Sequence, residues 1–175
     1  MQALDGHWGM TESKALAARA AADPPLVEEI VEALWHDKES TRTRAADALM
    51  RLSEFAPALL EGYQPALLEL FYGPLPTIMQ WHVVLLVPRV RMSVRDRRRA
   101  FVRLKELLNE PGSLTRTAAI EGLARLGLAD PILLEEATHL IRHALRGGTP
   151  AMRARARRWA GQIEQYLKNL PPAAP

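Results

Sequence analysis

The chain repeats itself. Residues 41–73, TRTRAADALMRLSEFAPALLEGYQPALLELFYG, return without a gap as residues 115–147, TRTAAIEGLARLGLADPILLEEATHLIRHALRG, and 12 of the 33 aligned pairs are identical. The identities go beyond the Leu and Ala that composition supplies. They include Thr41-Arg42-Thr43 with Thr115-Arg116-Thr117, Arg51 with Arg125, Pro57 with Pro131, Glu61 with Glu135, and Gly73 with Gly147. An internal repeat of this length restricts the chain to units that cover their apolar faces with one another.

The copies start 74 residues apart, which is twice 37, so a period of 37 predicts further starts at Ile78 and Met152. At Met152 the pattern Met152-Arg153-x-x-Ala156 lines up with Thr41-Arg42-x-x-Ala45. At Ile78 the arginine is replaced by Met79, but the apolar positions return as Val83, Leu86 and Val90. A fainter copy comes first: ADPPLVEEIVEAL from Ala22 matches ADPILLEEATHLI from Ala129 at 6 of 13 positions.

Glycine and proline mark where helices start and stop. Thr11 is the expected cap of a helix to Ala22, and Asp23-Pro24 opens a second with Leu26, Ile30 and Leu34 on one face. A third helix spans about 40–53, with Ala45, Ala46, Leu49 and Leu52 inward and Arg44, Asp47 and Arg51 outward. The fourth runs from Pro57 to about Tyr72 and is expected to bend at Pro65, which lacks the amide of a helical hydrogen bond. A fifth, about 77–89, is apolar almost all round. Ser93 and Asp96 read as a capping box for a sixth helix to Asn109. The second copy supplies two more helices, joined at Asp130-Pro131, and Gly147-Gly148-Thr149-Pro150 introduces a ninth to about Leu170. No strand pattern occurs. The fold class is therefore all-α, about nine helices, with 1–10 loose, 11–170 a single domain and 171–175 a disordered tail.

Composition narrows the chemistry. The chain holds no cysteine, which excludes disulfides, thiolate nucleophiles and cysteine-ligated metals. MQALDGHWGM carries no basic region followed by an apolar run, and no segment has the roughly 18 apolar residues of a membrane span. A cytoplasmic protein without membrane contact is the expectation. Net charge is +3, unevenly spread: residues 1–75 hold 6 basic and 12 acidic side chains, residues 76–175 hold 17 and 8. Such asymmetry either marks an acidic partner for the basic half or reflects solvated helix faces.

The segment Asp37-x-x-x-Thr41-Arg42-x-x-Ala45-Ala46-x-Ala48-Leu49-x-x-Leu52, followed by Pro57 and a second apolar helix, resembles a HEAT repeat of the short bacterial kind. The resemblance covers about residues 11–170. It implies a right-handed α-α superhelix, an armadillo-like solenoid of four to five helix pairs, with the Arg-x-x-Ala helices lining a concave groove. The Asp at the position of Asp37 is replaced by Pro111 in the later copy, so the family's Asp-to-Arg ladder is not expected throughout.

On that implied groove the outward positions form three rows. The first is Arg44, Trp81, Ala118 and Arg155; the second Asp47, Val84, Glu121 and Arg158; the third Arg51, Pro88, Arg125 and Gln162. Trp81 and Val84 make an apolar spot among arginines, a composition typical of binding hot spots. The expected function is thus a non-enzymatic scaffold binding a protein or peptide, or a second copy of itself as a homo-oligomer, through Arg44, Asp47, Arg51, Trp81, Val84, Arg125, Arg155 and Arg158. The opposite reading makes Trp81 core.

The alternative is nucleic-acid binding through the basic half, in which the arginines at 97–99 and at 153, 155, 157 and 158 meet phosphates. Some HEAT-like solenoids are alkylpurine DNA glycosylases, although no motif of theirs carries over to Asp47 and Trp81. Glu135, His139 and His143 share a helix face at four-residue spacing, without the HExxH pattern of a zinc site. No P-loop, GxSxG or dinucleotide fingerprint occurs, so no cofactor, metal or catalytic residue is expected.

Overall fold

A computed structural model describes Leu4 and residues 7–169. Those residues are helical apart from short turns, with no strand among them. The chain divides into two compact units, Met1–Ser93 and Val94–Pro175. The expected tail at 171–175, Leu170, and most of the first six residues lie outside the described residues.

The first unit holds α1 (Met10–Ala22), α2 (Pro24–Glu32), α3 (Glu39–Leu52), α4 (Gln64–Tyr72) and α5 (Thr77–Leu86). Short 3-10 segments follow α2 at Ala33–Trp35, precede α4 at Pro57–Tyr63 and follow α5 at Val87–Arg89. Helix α3 lies against both α1 and α5. Alanines allow this: Ala17, Ala20, Ala45 and Ala46 are all fully buried and bring the backbones close. Larger side chains fill what remains, among them Ile30, Leu34, Leu49, Leu60 and Met79. Each such buried aliphatic stabilises the unit by about 1.5 to 3 kcal/mol.

The second unit holds α6 (Val94–Leu107), α7 (Ser113–Ala129), α8 (Pro131–Gly147) and α9 (Pro150–Lys168). Helix α7 packs on α6, α8 and α9, and its residues Ile120 and Ala124 join Leu134, Ile141, Met152, Ala156, Trp159 and Ile163 in one core. Close approach of α7 to α8 depends on Gly127: a Cβ there would stand 2.6 Å from the Cβ of Ala137. Its counterpart in the first copy is Ser53, also small and buried.

Three local expectations change. Thr11 is not a cap, because α1 starts at Met10 with Gly9, two residues before Thr11, at the cap position. Pro65 does not kink a long helix; the helix begins there. Residues Pro57–Tyr63 wind as 3-10, and α4 starts at Gln64 with Pro65 in its first turn, where the missing amide has no helical acceptor to lose. The equivalent of Pro65 in the second copy is His139, and α8 accordingly runs unbroken for 17 residues. Third, Leu4 is buried and Trp8 half-buried, so these two side chains are packed where a loose segment was expected.

The two Asp-Pro junctions share a sequence and differ in geometry. Asp130 caps α8, accepting from the Ile132 amide at 3.1 Å, whereas the Asp23 side chain makes no cap bond at α2. Thr149 caps α9 by accepting from the Met152 amide. A further contact keeps the repeat register. Arg42 donates to the carbonyls of His36 (2.8 Å) and Asp37 (3.0 Å), and Arg153, 111 residues or three periods of 37 later, donates to that of Gly148 (2.6 Å). In these two copies the arginine thus serves the preceding turn's carbonyls, not an Asp side chain.

Candidate partner-binding surface

The outward-reading positions of α3 and α5 sit together in the first unit. Asp47, on α3, is buried, and three groups address its carboxylate. Trp8 Nε1 donates to Oδ2 at 3.2 Å, while Arg51 Nε and His82 Nε2 each stand 3.6 Å from Oδ1. Arg51 lies one turn further along α3, the spacing at which helical side chains meet. His82 comes from α5, so the carboxylate spans two neighbouring helices. Arg44, one turn earlier, donates to the Leu4 carbonyl at 2.6 Å, and its guanidinium lies 5.8 Å from the Trp8 ring centroid. That distance is within reach of a cation-π attraction.

Trp81 is half-buried, its ring 4.0 Å from the imidazole of His82. It therefore fits neither extreme read from the sequence, full exposure or full burial. Val84 does not join it at the surface. At 1% exposure Val84 is core, as are His82, Val83 and Leu85, because α5 is covered by α3 on one side and by α4 on another. Pro88 is buried as well. The apolar spot expected of Trp81 with Val84 is reduced to Trp81 alone.

Burial pushes the His82 imidazole down to about 4, from an ordinary value near 6.5. The Asp47 carboxylate opposes that shift and the Arg51 guanidinium adds to it. At neutral pH His82 is consequently uncharged, and its Nδ1 has no hydrogen-bond partner.

The second unit repeats the carboxylate and its arginine at the same register, with the partner from the following helix one position earlier. Glu121, the counterpart of Asp47, is 3% exposed and takes two arginines: Arg125 Nε at 2.9 Å, one turn along α7, and Arg155 Nη1 from α9. Arg125 in turn lies over Trp159, with its guanidinium carbon 4.8 Å from the ring centroid. Arg155 stands where the first copy has Trp81, 74 residues earlier, and Trp159 where it has Leu85. In both units a buried carboxylate on one repeat helix is bracketed by an arginine four residues on and by a basic or aromatic group from the next. A buried carboxylate is tolerable only with such partners; losing them strands a charge at about 3–5 kcal/mol. Arg158 is exposed on α9.

Sequence pattern pointed to Asp47, Arg51, Glu121 and Arg125 through the repeat, but as solvent-facing groups. It gave no sign of Trp8 or Leu4, which lie outside every repeat. Among the described residues no three His, Asp or Glu side chains converge as metal ligands. Glu135 and His139 border a shallow surface hollow along α8, and His143 borders another beside Gly148 and Thr149.

The fold and these clusters define an all-α protein with an internally repeated sequence. No family model matches the chain, and neither does any curated protein. Among solved structures, the crystal structure of an engineered protein from the Northeast Structural Genomics Consortium is similar, with a TM-score of 0.65 at 16% identity over 89% of this chain and 72% of that one. At that identity the likeness concerns the fold alone.

Proposed function

We propose that this protein is a non-enzymatic binding module, a HEAT-like right-handed solenoid whose Arg-x-x-Ala helices present their faces to a protein or peptide. One observation carries the reading. In each copy an arginine of the repeat helix pairs with a buried carboxylate one turn away, Arg51 with Asp47 at 3.6 Å and Arg125 with Glu121 at 2.9 Å, so part of this surface is in place before any partner arrives. Rigid surfaces bind without a large ordering cost. In the first unit this surface borders a half-buried tryptophan, the residue type that most often dominates binding energy.

The test begins with a partner captured by the full chain and then measured as a purified pair. Trp81→Ala together with Arg51→Ala, in a variant whose helical circular dichroism is unchanged, is expected to weaken binding by roughly thirtyfold or more, about 2 kcal/mol. Undiminished affinity in the folded variant would refute the reading.

A further inference from the structure

We infer that the outer face of α3 is a recognition site for a tryptophan-bearing peptide, and that the chain's own Leu4 and Trp8 occupy it in the unliganded protein. The inference deepens the proposed function, on which it rests, by naming the ligand chemistry and showing that the site is filled from within.

Four contacts specify what the site takes. Asp47 is nine-tenths buried, and one of its oxygens accepts the Trp8 indole N–H at 3.2 Å. Arg44 reaches over the same ring, 5.8 Å from its centroid. Its Nη1 also donates to the Leu4 backbone carbonyl at 2.6 Å, a bond that any residue at that place can accept. Leu4 itself is 2% exposed and so supplies an apolar anchor. Together they read an aliphatic residue followed four positions later by a tryptophan, with one main-chain carbonyl fixed between the two arms of the recognition. Phenylalanine would fill the ring position but leave the buried Asp47 oxygen without its donor. Beyond this occupant, Asp47 Oδ1 faces Arg51 Nε and His82 Nε2 at 3.6 Å, and His82 Nδ1 is a buried atom without a hydrogen-bond partner.

Arg44 and Asp47 are among the residues the sequence assigned to partner binding. An external ligand that uses Arg44 and Asp47 must therefore compete with Trp8. An occupant tethered by a few residues has an effective concentration near millimolar, and a site filled nine-tenths of the time binds an outside ligand roughly tenfold more weakly.

The measurement uses a fluorescent peptide with the sequence of residues 1–10, MQALDGHWGM, titrated by anisotropy into the full-length chain. Trp8→Ala empties the ring position in the protein; Trp8→Phe, used separately in case the first variant folds poorly, keeps a ring there but removes the donor to Asp47 and so weakens the internal occupant. The labelled peptide is expected to bind either variant at least roughly tenfold more tightly than it binds the native chain. Adding Asp47→Ala to the variant, which removes the acceptor, or changing the tryptophan of the peptide to phenylalanine, is expected to abolish that gain. Equal binding to native and Trp8 variants overturns the inference, as does binding indifferent to Asp47. A native dimer that the peptide converts to monomer, seen by light scattering, would also overturn it, because the occupant would then come from a second copy. Failure of the Trp81 experiment leaves these outcomes unchanged, so the two readings fail separately.

Discussion

His82 ties the stability of the first unit to pH. In the unfolded chain its imidazole takes a proton near pH 6.5; in the folded chain it stays neutral until about 4. Between those values the unfolded state binds more protons, so stability falls as pH is lowered through that window. The full contribution of the neutral imidazole is present above pH 6.5, and on the order of 3 kcal/mol is lost by pH 4. Urea unfolding of the native chain and of His82→Gln at pH 7 and pH 4.5 tests this. The native chain is expected to lose about 2 to 3 kcal/mol more than the variant across the interval. Equal losses would place the imidazole in contact with water. His82 falls one period of 37 after Ala45, an inward position of the repeat; its contact with Asp47 was not legible in the sequence, because that contact joins two helices whose rotation about their axes no pattern states. Val84 was misread for the same reason. Counting positions along a helix identifies a face, but only packing decides how wide an arc the neighbours cover. For α5, with helices on two sides, the arc includes Val84 and Pro88.

At the scale of elements, boundaries were the most legible feature, since Pro24, Pro131 and Pro150 each stand in the first turn of the helix they were expected to open. What escaped was how the same signal plays out in different company. Asp130 caps α8 and is also held by Arg98 of α6, whose Nε lies 3.1 Å from Oδ2, while Arg97 donates to the neighbouring Ala129 carbonyl. Asp23 has the same dipeptide and no such cap bond. Burial by itself would raise the pKa of Asp130, but the Arg98 bond, the Ile132 amide and the two arginine charges outweigh it and hold the carboxyl below its ordinary 3.8. Because the folded value is depressed, the stabilisation is present above about pH 4 and disappears as pH falls through the lower folded value. Asp130→Ala, which removes both the cap and the ion pair, is expected to cost about 1 to 2 kcal/mol at pH 7. Asp130→Asn keeps the cap geometry and is expected to cost less. Thermal unfolding at pH 7 and pH 2.5 checks the assignment: the gap between native and Ala variant should narrow at the lower pH, and a gap of the same size would show that charge plays no part.

For the whole molecule, the charge asymmetry poses the question that repeat pattern alone leaves open: whether the basic half meets phosphates. The positions of its arginines argue for a small footprint. Arg97 and Arg153 donate to backbone carbonyls, Arg98 pairs with Asp130, Arg103 with Glu106, Lys105 with Glu136, and Arg125 and Arg155 with Glu121. The bonds of Arg97, Arg98, Lys105 and Arg155 join one helix to another, and those of Arg103, Arg125 and Arg153 lie within a helix or at its start. Arg157 and Arg158 are exposed on α9, but consecutive positions on a helix point about 100° apart and do not follow one strand of a duplex. Two phosphate contacts would give a slope of about −2 when the logarithm of the binding constant is plotted against that of salt concentration; six to ten, as in proteins built to hold a duplex, would give about −5 to −9. Titrating the full chain with a short labelled duplex between about 50 and 200 mM salt, the range over which such slopes are read, is expected to show weak binding with the shallow slope. A slope steeper than about −4 would mean that the internal ion pairs open to release their arginines to DNA. The Arg155→Ala variant would then change that slope, whereas if Arg155 serves Glu121 it changes stability and leaves the slope as it was.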